Sequence, residues 1–141
     1  MNGGIDAVHS PVTHTLGEHV EHLNLTGPGA INGTGNVLDN ILTGNSAVNI
    51  LAGGAGNDTY VIGTGDTVVE QANDGLDTVQ SDQSYALGAH VENLTLTGVA
   101  AIKGTGNALD NVLTGNGAMN LLAGGAGNDT YVLNGLEIVT E

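Results

Sequence analysis

The stretch AGGAGNDTYV, residues 52–61, decides the fold of this chain, and the same ten letters return at residues 123–132. Both copies follow the pattern Gly-Gly-x-Gly-x-Asp-x-apolar-x. Glycines adopt backbone angles that other residues avoid, so such a loop can turn its carbonyl oxygens inward. The aspartate adds a carboxylate, and Ca²⁺ prefers carbonyl and carboxylate oxygens. The pattern therefore predicts a loop that can bind calcium and is followed by a short strand.

Candidate calcium ligands occur in both copies and in the loops around them. In the two copies they are Gly53, Gly54, Gly56, Asp58, Gly124, Gly125, Gly127 and Asp129; around them they are Asp66, Asp77, Asn40, Asn111 and Asp6. Asp58 and Asp77 are 19 positions apart, close to one full coil, and so should face each other across adjacent turns. This pair is the preferred calcium site, and Asn40 with Asp58 is the next choice.

Asn40 and Asn49 stand where the nonapeptide pattern has aspartate. Asparagine offers one carbonyl oxygen and no charge. These turns are therefore weaker calcium sites, or they stack as ladders of amide groups without metal. The exposed-looking turn residues Asp39 and Asp110 are either ligands or solvated side chains.

A long repeat contains the two copies. Residues 19–62 align with residues 90–133 at an offset of 71, and 33 of these 44 positions are identical. Thr67-Val68-Val69-Glu70 corresponds in the same way to Ile138-Val139-Thr140-Glu141. The sequence thus predicts one continuous solenoid domain made of two repeat units, residues 1–70 and 71–141.

A finer period of about nine residues runs inside each unit. Short apolar segments such as Leu23/Leu25, Ile41/Leu42 and Ile50/Leu51 are separated by Gly/Asn turns, and no 3.6-residue period is present. Evenly spaced apolar segments between such turns indicate strands. Two strand-plus-turn units make an 18-residue coil, and stacked coils make a solenoid. The expected fold is all-β, a parallel β-roll or β-helix solenoid.

The composition agrees with a thin core that depends on cations. The chain has 24 glycines and no Phe, Trp or Cys, and its net charge of −14 includes one basic residue, Lys103. Self-repulsion of this size opposes compaction, and a chain of this composition should be disordered without counter-ions. Divalent cations would neutralise the carboxylates and tie neighbouring coils together. Binding to nucleic acid is excluded by the same acidity.

Other chemistries have little support in the sequence. His14, His19 and His22 suggest a transition metal, but their aligned positions are Tyr85, His90 and Asn93, so two of the three do not repeat. No histidine pair has the spacing and companion ligands of a zinc site. No nucleophile, base and orienting group are arranged for catalysis. The chain is therefore expected to lack catalytic residues and not to be an enzyme.

The nonapeptide from Gly53 to Val61 and its copy resemble the RTX (repeats-in-toxin) family. The flanking segments HVENLTLTG, residues 90–98, and GTGN, residues 104–107, look like the spacers of large secreted bacterial calcium-binding proteins. The resemblance covers nearly the whole chain. It implies a right-handed parallel β-roll, type I secretion, folding in millimolar extracellular calcium, and attachment to a larger secreted protein.

Three functions remain open at this point. The first is a structural calcium-dependent module, meaning a spacer, a folding nucleus or a self-assembling element. The second is a carbohydrate-binding accessory module of a secreted enzyme such as an alginate epimerase. The third is an ice-binding solenoid, which needs a regular Thr/Asx array that Thr34 and Thr43 begin and Ala52 interrupts.

Location and assembly follow from the same pattern. The start Met1-Asn2-Gly3-Gly4 has no signal-peptide features, and no stretch is long enough for a membrane span. The chain is therefore either cytosolic or exported by a route that does not read the N-terminus. The resemblance to the RTX family implies export within a parent protein, to the outside of the cell or to its surface. Because Asp6 aligns with Asp77, a second molecule placed head-to-tail could bring Asp6 to Asp129, which predicts calcium-bridged homotypic assembly.

Overall fold

A computed structural model describes residues 3–141. The first two residues, with which the signal-peptide interpretation begins, lie outside this part. The chain forms two compact units, one that ends at Asp77 and one that runs from Thr78 to Glu141, and each is described by itself. In the part of the chain that the structure describes, every regular element is a β-strand, and no helix is long and apolar enough to cross a membrane.

The first unit alternates strands between two parallel sheets. The odd-numbered strands pair in the order β1-β3-β5-β7 and the even-numbered strands in the order β2-β4-β6-β8. Their bounds are β1 Ala7–Ser10, β2 His14–Thr15, β3 His22–Leu25, β4 Gly33–Thr34, β5 Ile41–Thr43, β6 Ile50–Ala52, β7 Thr59–Ile62 and β8 Thr67–Val68. This alternation is that of a solenoid, in which each coil gives one strand to each sheet.

The core of the first unit lies between its two sheets. Leu23 pairs with Leu42 and Leu42 with Tyr60 across β3, β5 and β7, and all three side chains are almost completely buried. Leu51 of β6 faces them from the other sheet and is also fully buried. Because alternate residues of a strand point to opposite faces, each coil contributes only one or two apolar side chains per strand.

The second unit repeats this arrangement. Its strands are β9 Thr78–Ser81, β10 Tyr85–Ala86, β11 Asn93–Leu96, β12 Lys103–Thr105, β13 Val112–Thr114, β14 Leu121–Ala123, β15 Thr130–Val132 and β16 Ile138–Thr140. The inward positions Val79, Leu94 and Leu113 pair in register, and Leu122 of β14 is buried in the opposite sheet. The expected all-β solenoid of parallel strands is therefore confirmed.

Glycine is required where large core side chains crowd the backbone. A Cβ atom on Gly33 would lie 2.9 Å from Leu23 and 3.1 Å from Leu51. Gly104 has the same place in the second unit, with its Cβ 3.0 Å from Leu94 and 3.2 Å from Leu122. The leucines thus occupy the space that a side chain on β4 or β12 would need, which keeps the two sheets close.

Asparagine side chains hold the turns in place of further core packing. Asn40 and Asn49 are buried, and their Oδ1 atoms accept the backbone N–H of Asn36 and Asn45 at 2.7 Å. The Nδ2 of Asn49 donates to the carbonyl of Ile31 at 2.6 Å, one coil earlier. The buried amides of Asn40 and Asn49 are thus hydrogen-bonded to the backbone of their own turn and of the preceding coil.

Each unit also has a histidine with left-handed backbone angles. His19 and His90 have φ of 68° and 66°. The Nδ2 of Asn36 donates to the carbonyls of residues 17 and 20, both at 2.8 Å, so it closes the turn that contains His19. Asn107 closes the turn around His90 in the same way. Left-handed angles are unfavourable for a residue with a Cβ, and these turns retain histidine where glycine would be less strained.

Candidate metal centre

Asp58 lies at the end of the glycine loop, immediately before β7, and its side chain points into the unit. It is 1% exposed. Its Oδ1 accepts the backbone N–H of Asn40, which is 18 residues earlier, at 2.7 Å. The other oxygen, Oδ2, is buried and accepts no hydrogen bond from any of the residues 3–141. A buried carboxylate oxygen without a donor is costly, because it has lost its water and gained nothing in exchange.

Asp77 lies one coil further on, directly over Asp58. It is completely buried, and its Oδ1 accepts the backbone N–H of Asp58 at 2.9 Å. Asn40, Asp58 and Asp77 thus form a column in which each acid binds the backbone of the previous coil. The expectation that Asp58 and Asp77 meet across adjacent turns is confirmed.

Glu70 completes a group of three carboxylates. One ligand oxygen from each of Asp58, Glu70 and Asp77 can be chosen so that all three lie within 4.8 Å of one another. Glu70 follows β8 and is partly buried, and its Oε1 accepts the hydroxyl hydrogen of Tyr60. We call Asp58, Glu70 and Asp77 the carboxylate trio. Oxygen atoms at this separation can contact one cation, so the trio could hold a metal ion.

The trio is electrostatically strained when no cation is bound. Burial raises the pKa of Asp58 to about 7, against the lowering effect of the Asn40 N–H, and the charges of Asp77, Asp39 and Asp74 raise it further. Burial likewise raises the pKa of Glu70 to about 8, and Asp77 and Asp58 add to the shift. Like charges in a buried site disfavour ionisation, whereas a cation restores it.

The glycine loop leaves room for these oxygens. A Cβ on Gly53 would overlap the Asp58 carboxylate and the Tyr60 hydroxyl, so only glycine fits there. Gly54 and Gly56 have φ of 99° and 111°, angles that favour glycine. The donor set is three carboxylates, with no nitrogen or sulfur ligand, and this is the chemistry of hard cations such as Ca²⁺. The trio could therefore hold a metal ion of this hard class.

The second unit has the corresponding half of this arrangement. The Oδ1 of Asp129 accepts the N–H of Asn111 at 2.9 Å, and its Oδ2 is buried without a hydrogen bond from residues 3–141. The Tyr131 hydroxyl accepts the Gly124 N–H at 2.9 Å and lies 3.2 Å from the Glu141 carboxylate. Gly125 and Gly127 have φ of 97° and 121°, as their counterparts do.

The other candidate ligands have different contacts. The Oδ1 atoms of Asn40 and Asn111 accept backbone N–H groups, of Asn36 and Asn107 respectively, at 2.7 Å. The oxygen atom of each amide is thus already hydrogen-bonded to the backbone of its own turn. Asp66 is buried, and its two oxygens accept the N–H groups of Asn49 and Gly63, both at 2.8 Å.

Asp6 is exposed and outside the trio. Its backbone N–H donates to the Oε2 of Glu21 at 2.9 Å, and its carbonyl accepts the N–H of His22 at 3.0 Å. Both of these contacts are made by the backbone of Asp6 and not by its carboxylate.

Glu70 was not among the ligands proposed from the sequence. It lies outside both nonapeptides, so the glycine-aspartate pattern gives no reason to choose it. A signal was nevertheless present, because Glu70 and Glu141 occupy the same position of the long repeat. Tyr60 occupies the apolar position of the nonapeptide, and it is completely buried. The contact between its hydroxyl and Glu70 depends on the strand positions and was not foreseeable from spacing.

Comparison with known proteins gives one informative similarity. No protein family model matches the chain, and no solved structure matches it. Over 129 residues, 89% of its length, the chain is 32% identical to the endo-1,3-1,4-beta-glycanase ExsH of Rhizobium meliloti strain 1021. The aligned region is 25% of that glycanase, so the chain spans about a quarter of the length of this relative.

Proposed function

We propose that the chain is a calcium-dependent structural β-solenoid module of the RTX type, used outside the cell as a spacer or folding nucleus within a larger protein. The observation that carries this proposal is the carboxylate trio, in which the buried Asp58 Oδ2 has no hydrogen-bond donor among residues 3–141. A protein that stabilises such a group in its ionised form needs a cation beside it.

Calcium suits this site better than the alternatives. Three carboxylates give a hard, negatively charged site, and flexible loops accommodate the variable coordination of Ca²⁺ more easily than the strict octahedron of Mg²⁺. Extracellular calcium modules work at about 10⁻⁴ to 10⁻³ M. The resemblance of the nonapeptides to the RTX family supports the same ion and an exported parent protein.

A calcium titration tests the proposal directly. We expect weak β-structure by far-UV circular dichroism in excess chelator, and a gain of β-structure as calcium rises to about 10 mM. Isothermal titration calorimetry on the same chain should show saturable binding. Asp58→Asn should weaken this binding, whereas Asp82→Asn, at an exposed position of the second unit, should change it little. A β-rich spectrum in chelator together with no heat of binding would reject the proposal.

A carbohydrate-binding accessory module is the second candidate. The similarity to a glycanase supports it, and so does a groove that occurs in both units beside the left-handed histidines. In the first unit the groove is lined by Leu16, Glu18, His19, Asn36, Val37 and Leu38, and in the second by Ala89, His90, Asn107, Ala108 and Leu109. An apolar floor with a few polar groups suits a neutral sugar chain, while the net charge of −14 disfavours anionic polymers.

Affinity gel electrophoresis with mixed-linkage β-1,3-1,4-glucan tests this second candidate. Retardation by the glucan, reduced in the double variant His19→Gly/His90→Gly, would support it. Glycine fits the left-handed backbone of both turns, so these variants should keep the fold. Equal mobility with and without glucan would exclude this polymer as a ligand.

A further inference from the structure

The hydroxyl group of Tyr60 connects the glycine loop to the carboxylate trio. Tyr60 is 0% exposed, and its ring fills the core position of β7 that pairs with Leu42. Its hydroxyl oxygen accepts the backbone N–H of Gly53 at 2.7 Å and donates its hydrogen to the Oε1 of Glu70. Both hydrogen-bonding functions of a phenol are therefore in use.

A phenylalanine at this position would fill the same core space. The hydroxyl must therefore be explained by its two partners, because a buried polar group without partners would be costly. In the second unit the Tyr131 hydroxyl likewise accepts the Gly124 N–H, and it lies 3.2 Å from the Glu141 carboxylate and 3.1 Å from the Thr140 carbonyl. A tyrosine hydroxyl between a loop glycine and a glutamate thus occurs in both units.

Glu70 needs such support more than the aspartates do. Asp58 and Asp77 are held by backbone contacts through their Oδ1 atoms, and both are almost completely buried. Glu70 is longer and only partly buried, and its carboxylate has a backbone contact only with its chain neighbour, the N–H of Gln71. Fixing a glutamate side chain at a metal costs rotamer entropy unless something already restricts it.

We propose that Tyr60 is a positioning residue that holds Glu70 as the third carboxylate ligand and thereby links cation binding to the packing of β7. This inference rests on the proposed function, because it assumes that the trio binds a cation. Hydrogen bonds to the residues that bind a metal orient those residues, and the loss of such a bond typically weakens metal binding about 10- to 100-fold. Tyr60 contacts the ligand and not the ion in this arrangement.

A double-mutant cycle on the full chain tests the proposal, with calcium alone as the probe and calorimetry as the readout. Tyr60→Phe is expected to weaken calcium binding about 10-fold. In a Glu70→Gln background, the same Tyr60→Phe change should have almost no effect, because the ligand it positions is no longer a carboxylate. A purely structural role would weaken binding equally in both backgrounds. Tyr85→Phe, in β10 of the second unit, is the matched tyrosine control.

The outcomes separate the inference from the proposed function. No calcium binding by the unaltered chain would reject the proposed function itself. Binding by the unaltered chain with equal affinity in Tyr60→Phe, or an equal loss in both backgrounds, would overturn only the role of Tyr60.

Glu70→Asp decides the matter if Tyr60→Phe does not fold. This variant keeps the tyrosine and the charge, but it shortens the side chain by one methylene and so removes its contact with the hydroxyl. A loss of affinity like that of Glu70→Gln would support the positioning role. Calcium affinity equal to that of the unaltered chain would overturn it.

Discussion

At the scale of single residues, the main feature is acid placed where water cannot reach it. Asp58 and Asp77 are 1% and 0% exposed, and Asp77 contacts the backbone of Asp58. Isolated buried carboxylates are expensive because the protein interior solvates their charge poorly. Their Oδ1 atoms are stabilised by backbone N–H groups, whereas Asp58 Oδ2 receives nothing from residues 3–141. A cation next to this oxygen would stabilise its negative charge, and this is the physical basis of the proposed site.

Asp58→Asn should therefore have opposite effects in the two states of the site. In chelator we expect the variant to be at least as stable as the unaltered chain, because a buried charge is removed while the amide oxygen can still accept the Asn40 N–H. In calcium we expect it to bind about 10-fold more weakly or worse, because one ligand has lost its charge. Far-UV circular dichroism in chelator and calorimetric titration with calcium measure the two effects. A variant destabilised equally in both conditions would point to a packing defect.

The raised pKa values of Asp58 and Glu70 predict the pH dependence of the metal-free chain. Both folded-state values, about 7 and about 8, lie above the ordinary values of 3.8 and 4.5. Between these limits the folded state holds protons that the unfolded state releases, so the free energy of unfolding falls as pH rises. In chelator, the residual β-structure seen by far-UV circular dichroism should therefore decrease from pH 5 to pH 8.5.

Calcium should reverse this trend, because the ion competes with the protons for the same oxygens. Calcium affinity is therefore expected to increase over the same pH range and to level off above about pH 8, near the pKa of Glu70. Calorimetric titrations at several pH values would measure this. Affinity that is independent of pH between 5 and 8 would contradict the assignment of these two carboxyls to the site.

At the scale of elements, the strands are too short to be stable alone. They have two to four residues each, and each turns one or two apolar side chains inward, such as Leu42 of β5 and Leu51 of β6. Stability must come from the stacking of strands on their neighbours in register. The buried asparagines also contribute, because their side chains form hydrogen bonds with the backbone groups of the turns. The same stacking brings residues 18 or 19 positions apart into contact, and it thereby builds the column of Asn40, Asp58 and Asp77.

Gly33→Ala tests how closely the two sheets of the first unit pack. The added Cβ would lie 2.9 Å from Leu23 and 3.1 Å from Leu51, so one leucine must move. Overpacking of this kind typically costs about 1–3 kcal/mol. Urea unfolding in saturating calcium measures the loss. Gly17→Ala is the matched control, because its Cβ would meet no atom within 4 Å; an equal loss in both variants would show that crowding against the leucines is not the cause.

At the scale of the whole molecule, the main obstacle to folding is the large negative net charge. The net charge of −14 is carried on 141 residues with a single basic side chain, and the apolar core is thin. Self-repulsion therefore opposes folding, and cations can relieve it in two ways, by general screening or by binding at defined sites. These two contributions respond differently to the valence and concentration of the salt.

Matched ionic strength separates the two contributions. At equal ionic strength we expect NaCl to recover only part of the β-structure, MgCl₂ somewhat more, and CaCl₂ the full signal. A specific site stabilises by about 2.7 kcal/mol when the ion is at 100 times its dissociation constant, which screening alone does not reproduce. Circular dichroism melts in the three salts provide the measurement. Identical melting temperatures would indicate that diffuse screening is sufficient.

The sequence by itself determined the kind of fold and one pair of the site. The nine-residue period indicated strands and turns, and the near-18-residue coil placed Asp58 beside Asp77, because residues one coil apart in a stacked solenoid must be neighbours. The two glycine loops could also be identified from the sequence, because the pattern of Gly53, Gly54 and Gly56 before an aspartate predicts a loop followed by a short strand. All of these features follow from regular spacing along the chain.

Only the tertiary structure decided which of the candidate oxygens come together. It brought Glu70 to Asp58 and Asp77, directed the oxygens of Asp66 to backbone N–H groups, and engaged the Asn40 amide in its own turn. These outcomes depend on side-chain direction and on how the loop after β8 closes against Tyr60, which no repeat period specifies. Spacing determines which coils are neighbours, whereas packing between the two sheets determines which side chains meet.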